Sequence, residues 1–186
     1  MTDIVLASAS PRRRELLSYL EIPFIVHPSS FEENFSKDEQ PEVAVTRLAL
    51  AKAKDVAVLY PDKIVIGCDT IVVANSILGK PKDTEEAAEM LRRLSGQTHA
   101  VYTGVALVKG ERKHCFYERV DVTFWSLTEE QIQHYIASGD PFDKAGSYGI
   151  QTGGALFVKK IDGDYYAVVG LPISRLAREL KQFQSL

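Results

Sequence analysis

The pattern of hydrophobic and polar positions along the chain predicts strands that alternate with helices. Runs rich in β-branched and aromatic residues are typical of strands, and they occupy residues 4–6, 22–26, 63–73, 98–108 and 115–124. Apolar residues recur at helical spacing in four segments, near residues 11–20, 42–60, 84–94 and from 128 onward. The chain then ends with two predicted strands around Asp162-Gly163-Asp164 and a helix from about Pro172 to Phe183. Capping residues are expected at Thr84 and in a Thr128-Glu129-Glu130-Gln131 capping box.

The beginning of the chain combines a strand, a tight loop and a helix. An apolar run stops at small hydroxyl residues, and Pro11 then opens the helical segment. Backbone N–H groups and the helix dipole favour an anion at such an N-terminus, and Arg12, Arg13 and Arg14 add donors suited to phosphate. The alternative is a serine N-cap followed by a solvated basic turn.

Asp69 is an anomaly within the strongest predicted strand. The run from residue 63 to 73 suits a central strand buried on both faces, where a carboxylate has no ordinary place. The carboxylate is either paired or placed at a β-bulge, or it holds a metal or activates water.

Four other polar residues carry weaker indications. Lys52 and Lys54 are predicted to point away from the apolar face of the second helix. Lys80 lies between Gly79 and Pro81, which fix a tight backbone on either side of it. His99, on a predicted strand, is either a general base or, more commonly for such a residue, a hydrogen-bonded structural group.

Residues 139–154 form the second unusual stretch. Five glycines and one proline interleave there with Asp140, Asp143, Lys144 and Gln151. This composition indicates a loop whose backbone approaches a ligand closely. The alternative is a turn-rich connection with solvated charges.

Length and composition fit one globular domain or two closely joined lobes. The chain has 186 residues, 45% of them hydrophobic, and a net charge of −3, which argues against broad binding to a nucleic-acid backbone and favours a small anionic ligand. Cys68 and Cys115 are too few for a disulfide framework and are expected to be free thiols in a reducing compartment. No apolar run approaches the roughly 20 residues that span a bilayer, and no signal peptide is recognisable, so we expect a cytoplasmic protein.

Taken together and in order, these stretches resemble the Maf family of nucleoside triphosphate pyrophosphatases. The resemblance covers nearly the whole chain. Its motifs are Ser8-x-Ser10-Pro11-Arg12-Arg13 with Leu16-Leu17, Glu33, Lys52-Ala53, Gly67-x-Asp69-Thr70, Gly79-Lys80-Pro81, Ser95-Gly96-x-x-His99-x-Val101-x-Thr103-Gly104, Asp143-Lys144-Ala145-Gly146-x-Tyr148-x-Ile150-Gln151 and Val169-Gly170-Leu171-Pro172.

The resemblance implies an α/β fold, a reaction and a cofactor. The fold would be a single elongated domain over residues 1–186, with a strongly twisted mixed sheet, flanking helices and a deep cleft between two lobes, related to the inosine triphosphate pyrophosphatases. The reaction would split dTTP or UTP, and also CTP or modified pyrimidine nucleotides, into the monophosphate and pyrophosphate, in a house-cleaning role with Mg²⁺ or Mn²⁺. Members are often homodimers, and some are associated with restraint of cell division.

The resemblance also assigns roles to residues. Asp69 matches the proton acceptor and, with Glu33, a metal ligand; Lys52 and Lys80 match catalytic lysines, and Lys80 also faces phosphate. Ser8 and Arg13 match phosphate-binding residues.

Three further positions, Arg12, Thr70 and Gln151, match those that separate the dTTP/UTP branch from the 7-methyl-GTP branch, and here they follow the pyrimidine pattern. The chain departs from the family pattern at Thr152, where a glycine is common. Two alternatives stay open: a nucleotide-binding regulator of cell division without turnover, and a purine pyrophosphatase that acts on ITP.

Overall fold

Seven strands form one mixed sheet in the part of the chain that the structure describes. The structure is a computed structural model that describes residues 3–32, 34 and 39–185. The strands are β1 (Ile4–Leu6), β2 (Phe24–Val26), β3 (Ile64–Ala74), β4 (Ser76–Leu78), β5 (Thr98–Lys109), β6 (Arg112–Phe124) and β7 (Val158–Asp162). Their order is β2-β1-β3-β5-β6-β7, with β4 paired to β3. β1 is parallel to β2 and β3, whereas β4 and β7 are antiparallel to β3 and β6, so the expected α/β fold with a mixed sheet is confirmed.

Six helices accompany the described strands. They are α1 (Pro11–Ser18), α2 (Pro41–Ala57), α3 (Thr84–Leu94), α4 (Glu129–Ala137), α5 (Tyr165–Val169) and α6 (Ile173–Ser185). The glycine-rich stretch, expected to be a loop, contains three 3-10 turns, at Asp140–Asp143, Ala145–Ser147 and Gly153–Phe157.

Local capping chemistry explains where most of these helices begin. Ser10 is the N-cap of α1, and the Thr128 capping box of α4 is confirmed with both of its hydrogen bonds. The expected cap at Thr84 is wrong by one residue, because the carboxylate of Asp83 accepts from the backbone N–H of Glu86 at 2.8 Å.

The second strand expected after Asp162-Gly163-Asp164 is wrong. Residues 165–169 form helix α5 although four of the five are aromatic or β-branched. The side chain of Asp164 accepts from the backbone N–H of Tyr166 at 2.9 Å, and the N–H of Ala167 donates to the Asp164 carbonyl. A local N-terminal cap therefore overrides the strand propensity of this short segment.

The chain divides into two compact units. The first unit comprises Met1–Asp69, Thr103–Glu118 and Gly170–Leu186, and the second comprises Thr70–Tyr102 and Arg119–Val169. Three strands, β3, β5 and β6, contain the boundaries, so each contributes residues to both units. A single domain with a cleft between two lobes stays a prediction.

Small side chains build a core of the first unit. Alanines of α2 pack against valines of β1 and β3 and against residues of β5; this cluster contains Val5, Ala7, Ala49, Ala53, Val56, Val65, Ala106 and Val108. Gly67 of β3 and Gly104 of β5 face the same helix. A Cβ on Gly67 would lie 2.1 Å from the Ala49 carbonyl oxygen, and one on Gly104 would lie 2.4 Å from that of Val45. Glycine is therefore needed at both positions for α2 to lie this close to the strands.

Aromatic rings build a core of the second unit. His99 and Tyr148 contact Phe124 edge-on, with ring centroids 4.9 and 4.8 Å from it, and Tyr135 contacts Phe157 at 5.0 Å. The glycine-rich stretch is anchored on this core through Tyr148.

Two simpler expectations concern thiols and membranes. Cys68 is buried and Cys115 half-buried, both as free thiols, as expected.

None of the helices in the described ranges has both the length and the apolar character that crossing a bilayer requires. The compartment stays a prediction.

Candidate active site

The loop between β1 and α1 is fixed by Arg13. Its Nε donates to the carbonyl oxygen of Gly170 at 2.9 Å, and its Nη1 donates to that of Cys68 at 3.1 Å. Nη1 also lies 3.4 Å from the hydroxyl of Ser8, which accepts from the backbone N–H of Ser10 at 3.2 Å. Ser8 is buried and Arg13 half-buried. These bonds place Ser8 and Arg13 beside the strand residue that precedes Asp69.

Lys52 and Asp69 form a buried ion pair. The Lys52 Nζ lies 2.5 Å from Asp69 Oδ1, and the two residues are 8% and 2% exposed. The prediction that Lys52 points away from the apolar face of α2 is wrong, because Lys52 lies on the buried face of this helix and its side chain reaches the Asp69 carboxylate. The pairing proposed for an aspartate in a buried strand is confirmed. Such a pair is weak evidence for stability, because desolvating two charges offsets most of their attraction.

Burial also determines the protonation state of the Cys68 thiol, which lies next to this pair in the sequence. It raises the pKa of Cys68 to about 11, so the thiol stays protonated and unreactive near neutral pH. Cys68 therefore contributes its backbone carbonyl, which accepts from Arg13, rather than its sulfur.

The other predicted site residues lie as follows. Arg12 is half-buried in the first turn of α1, and Thr70 is half-buried in β3 directly after Asp69. Lys80 and Gln151 are exposed and belong to the second unit, as does Thr70. Glu33 lies outside the described residues. The structure thus brings together Ser8, Arg13, Lys52 and Asp69 within the first unit, and a single site that also includes the remaining residues stays a prediction.

The donor set fits a metal that arrives with phosphate oxygens. In the described ranges no three His, Cys, Asp or Glu side chains are grouped as metal ligands. Mg²⁺ is usually held by one or two carboxylates together with substrate phosphates, not by a cage of protein ligands. Asp69 would supply one such carboxylate, and Glu33 is the predicted second ligand.

His99 has a structural partner. Its Nε2 lies 2.9 Å from the hydroxyl of Tyr148, and the histidine is 2% exposed. Burial lowers the pKa of His99 to about 4, so the ring is neutral at neutral pH. The expectation of a hydrogen-bonded structural histidine is confirmed.

A buried polar network in the glycine-rich stretch went unrecognised in the sequence. Lys144 is 8% exposed, and its Nζ donates to the carbonyl and carboxylate oxygens of Asp140 at 2.7 and 3.0 Å and to Asp143 at 2.6 Å. The alternative interpretation, a turn-rich connection with solvated charges, is therefore wrong for Lys144. The i,i+4 spacing of Asp140 and Lys144 was the available indication, but it also fits an exposed pair.

Comparisons with known proteins identify the family of this chain. A family model described as Maf-like protein matches residues 3–183. A Bacillus cytotoxicus protein named dTTP/UTP pyrophosphatase is 59% identical over 186 residues, which cover 100% of this chain and 97% of that relative. Proteins of the same name from Bacillus mycoides and Bacillus cereus are 56% and 58% identical; the matches cover 100% and 98% of this chain and 97% and 96% of the two relatives.

A solved structure shares the fold at low sequence identity. The HAM1 protein from Coxiella burnetii matches with a TM-score of 0.54 and 18% identity, covering 98% of this chain and 100% of that chain. That similarity supports the fold alone. The full-length family match and the three close relatives establish that this chain belongs to the Maf family.

Proposed function

We propose that this protein is a nucleoside triphosphate pyrophosphatase that hydrolyses dTTP and UTP to the monophosphate and pyrophosphate, in a house-cleaning role. The observation that carries the proposal is the buried Lys52–Asp69 pair beside the Arg13-anchored loop. It occurs in a chain whose full-length relatives are named dTTP/UTP pyrophosphatase. A buried carboxylate next to phosphate-binding donors suits attack of water on a phosphoanhydride.

In the proposed reaction, Asp69 acts as general base. It takes a proton from water, the water oxygen bonds to the α-phosphorus, and the bond from that phosphorus to the bridging oxygen breaks. Pyrophosphate leaves with the negative charge that develops on the bridging oxygen. Lys52 orients the Asp69 carboxylate through its bond at 2.5 Å and keeps positive charge near the reacting groups.

Cationic donors stabilise the leaving group. The N-terminus of α1, whose N-cap is Ser10, presents backbone N–H groups to an anion, and Lys80 is an exposed cation on the second unit. Asp69 and Glu33 would hold Mg²⁺ or Mn²⁺, which when bound neutralises phosphate charge. We also propose, from the family resemblance, that the protein is a homodimer.

Arg12, Thr70 and Gln151 are proposed to recognise the base. The amide of Gln151 offers a donor and an acceptor, which match the N3–H and carbonyl edge of uracil or thymine. Gln151 is exposed on its loop and thus accessible to a ligand.

One assay tests the proposed reaction. We expect incubation of the pure protein with dTTP or UTP and Mg²⁺ or Mn²⁺ to release monophosphate and pyrophosphate in equal amounts, and both products to be absent without metal. Tight nucleotide binding without release of monophosphate would favour the alternative function, a nucleotide-binding regulator of cell division without turnover. Faster turnover of ITP would favour a purine enzyme, and a preference for 7-methyl-GTP would contradict the dTTP/UTP branch.

A further inference from the structure

The residue proposed to read the base lies on a tight turn. The backbone N–H of Thr152 donates to the carbonyl oxygen of Gly149 at 3.3 Å, so Ile150 and Gln151 occupy the centre of a four-residue turn. Ile150 is buried and Gln151 exposed, which anchors the turn on one side and presents the amide on the other. The position of that amide therefore depends on what holds the two ends of the turn.

One carboxylate holds both ends. The hydroxyl of Thr152 donates to Asp140 Oδ2 at 2.5 Å, and the hydroxyl of Tyr135 donates to the same oxygen. The Tyr135 oxygen in turn accepts from the backbone N–H of Gly149 at 3.0 Å. Asp140 thus reaches the Gly149 end through Tyr135 and the Thr152 end directly.

Lys144 and Gly149 complete this arrangement. The buried ammonium of Lys144 compensates the charge of Asp140, and a Cβ on Gly149 would lie 2.5 Å from Cε of that lysine. Burial raises the pKa of Asp140, but the hydrogen bonds from Thr152, Tyr135 and Lys144 outweigh it and leave the pKa lowered. The carboxylate is therefore an ionised acceptor at neutral pH, which strengthens its bond to Thr152.

We propose that Thr152 is a positioning residue for base recognition and acts by fixing the turn that carries Gln151. The Gly149 end is held by Tyr135, whereas the Thr152 hydroxyl ties the end next to Gln151 to Asp140 and also lies 3.1 Å from the carbonyl oxygen of Gly149. Preorganising the backbone turn that carries the amide lowers the entropy cost of binding the base. The inference rests on the proposed function and on the role of Gln151 in it.

The test compares Thr152→Val, which keeps the side-chain shape but removes the hydroxyl, with Thr152→Ser, which retains it. For dTTP and UTP we expect Thr152→Val to lower kcat/KM roughly 5- to 10-fold, mainly through KM, as for partial loss of a charge-assisted hydrogen bond. Thr152→Ser should stay within about twofold of the parent. In a Gln151→Leu background, Thr152→Val should cause no further change.

A matched control separates an effect on protein stability from an effect on the positioning of Gln151. Thr128→Val makes the same chemical change at the N-cap of α4 and should destabilise by loss of the cap without altering KM. The inference would be overturned if Thr152→Val lowered kcat/KM equally in the parent and in the Gln151→Leu background, or did not lower it at all. In either case, dTTP hydrolysis by the parent would still support the proposed function. No dTTP or UTP hydrolysis by the parent would instead overturn the proposed function and, with it, the inference.

Discussion

At the scale of single residues, the buried Lys52–Asp69 pair is the feature that stability alone does not explain. Each partner would be costly to bury alone, and apolar residues of similar volume often replace such pairs with no loss of stability. Cys68, directly before Asp69, is buried as well, and its carbonyl binds Arg13. Stability alone therefore does not account for the pair, whereas the role proposed for Asp69 does.

Asp69→Asn should separate charge from shape at this position. The variant keeps the volume and one hydrogen-bonding oxygen but loses the base, so we expect kcat to fall on the order of 10²-fold or more. Circular dichroism should show that the fold is retained, although it is less stable because Lys52 loses its charged partner. Normal turnover by this variant, combined with an inactive Glu33→Gln, would contradict the assignment of Asp69.

His99 should make stability depend on pH. The folded protein holds its pKa near 4, whereas the unfolded chain titrates near 6.5. Between these values the unfolded state binds more protons, so the free energy of unfolding falls as the pH falls. Relative to neutral pH, the contribution lost by pH 5 is about 2 kcal/mol.

Urea unfolding of the parent and of His99→Gln measures this effect. The stability difference between the two proteins should be smaller at about pH 5 than at about pH 7.5, since the variant lacks the buried imidazole whose pKa is lowered by folding. Tyr148→Phe is the matched control, because it removes the partner hydroxyl and keeps the histidine. A stability difference independent of pH would exclude His99 as the cause.

At the scale of elements, helix α2 is the support of the ion pair. It carries Lys52, and it lies against β3 at Gly67, two residues before Asp69. Because the missing Cβ of Gly67 faces backbone atoms of the helix and not a movable side chain, the spacing between the helix and the strand is fixed.

Gly67→Ala should therefore push α2 away from β3. We expect destabilisation of about 1–3 kcal/mol from overpacking and a fall in kcat of roughly tenfold or more, because Lys52 moves relative to Asp69. Val65→Ala, on the same strand and in the same core cluster, is the control: it should cost roughly 2 kcal/mol by creating a cavity yet keep turnover near the parent value. Equal kcat for the two variants would show that the helix spacing does not govern catalysis.

At the scale of the whole molecule, the predicted site residues are divided between the two units. Asp69 and Thr70 are neighbours in β3 but belong to different units, so one strand links the proposed catalytic group to a proposed specificity position. The HAM1 protein from Coxiella burnetii has this fold at 18% identity, which indicates that the strand and helix pattern is retained while most side chains change.

Local chemistry in the sequence determined most of the elements. The capping box at Thr128 and the central place of β3 were both predictable, because each depends on residues close together in the chain. Helix α5 was not, since strand propensity and the cap at Asp164 favour different structures over only five residues. Ordered motifs also identified the family and named Asp69, Lys52 and Arg13.

Only the tertiary structure decided which of these groups contact each other. Lys52 pairs with Asp69, Arg13 binds the carbonyls of Cys68 and Gly170, and Asp140 accepts from Thr152. Each of these contacts joins residues that are separated in the sequence. Helical periodicity predicts which face of a helix a lysine occupies. It does not identify the carboxylate with which that lysine pairs in the interior. Desolvation makes such partners necessary, and only the packing of α2 on β3, or of the loop on α4, supplies them.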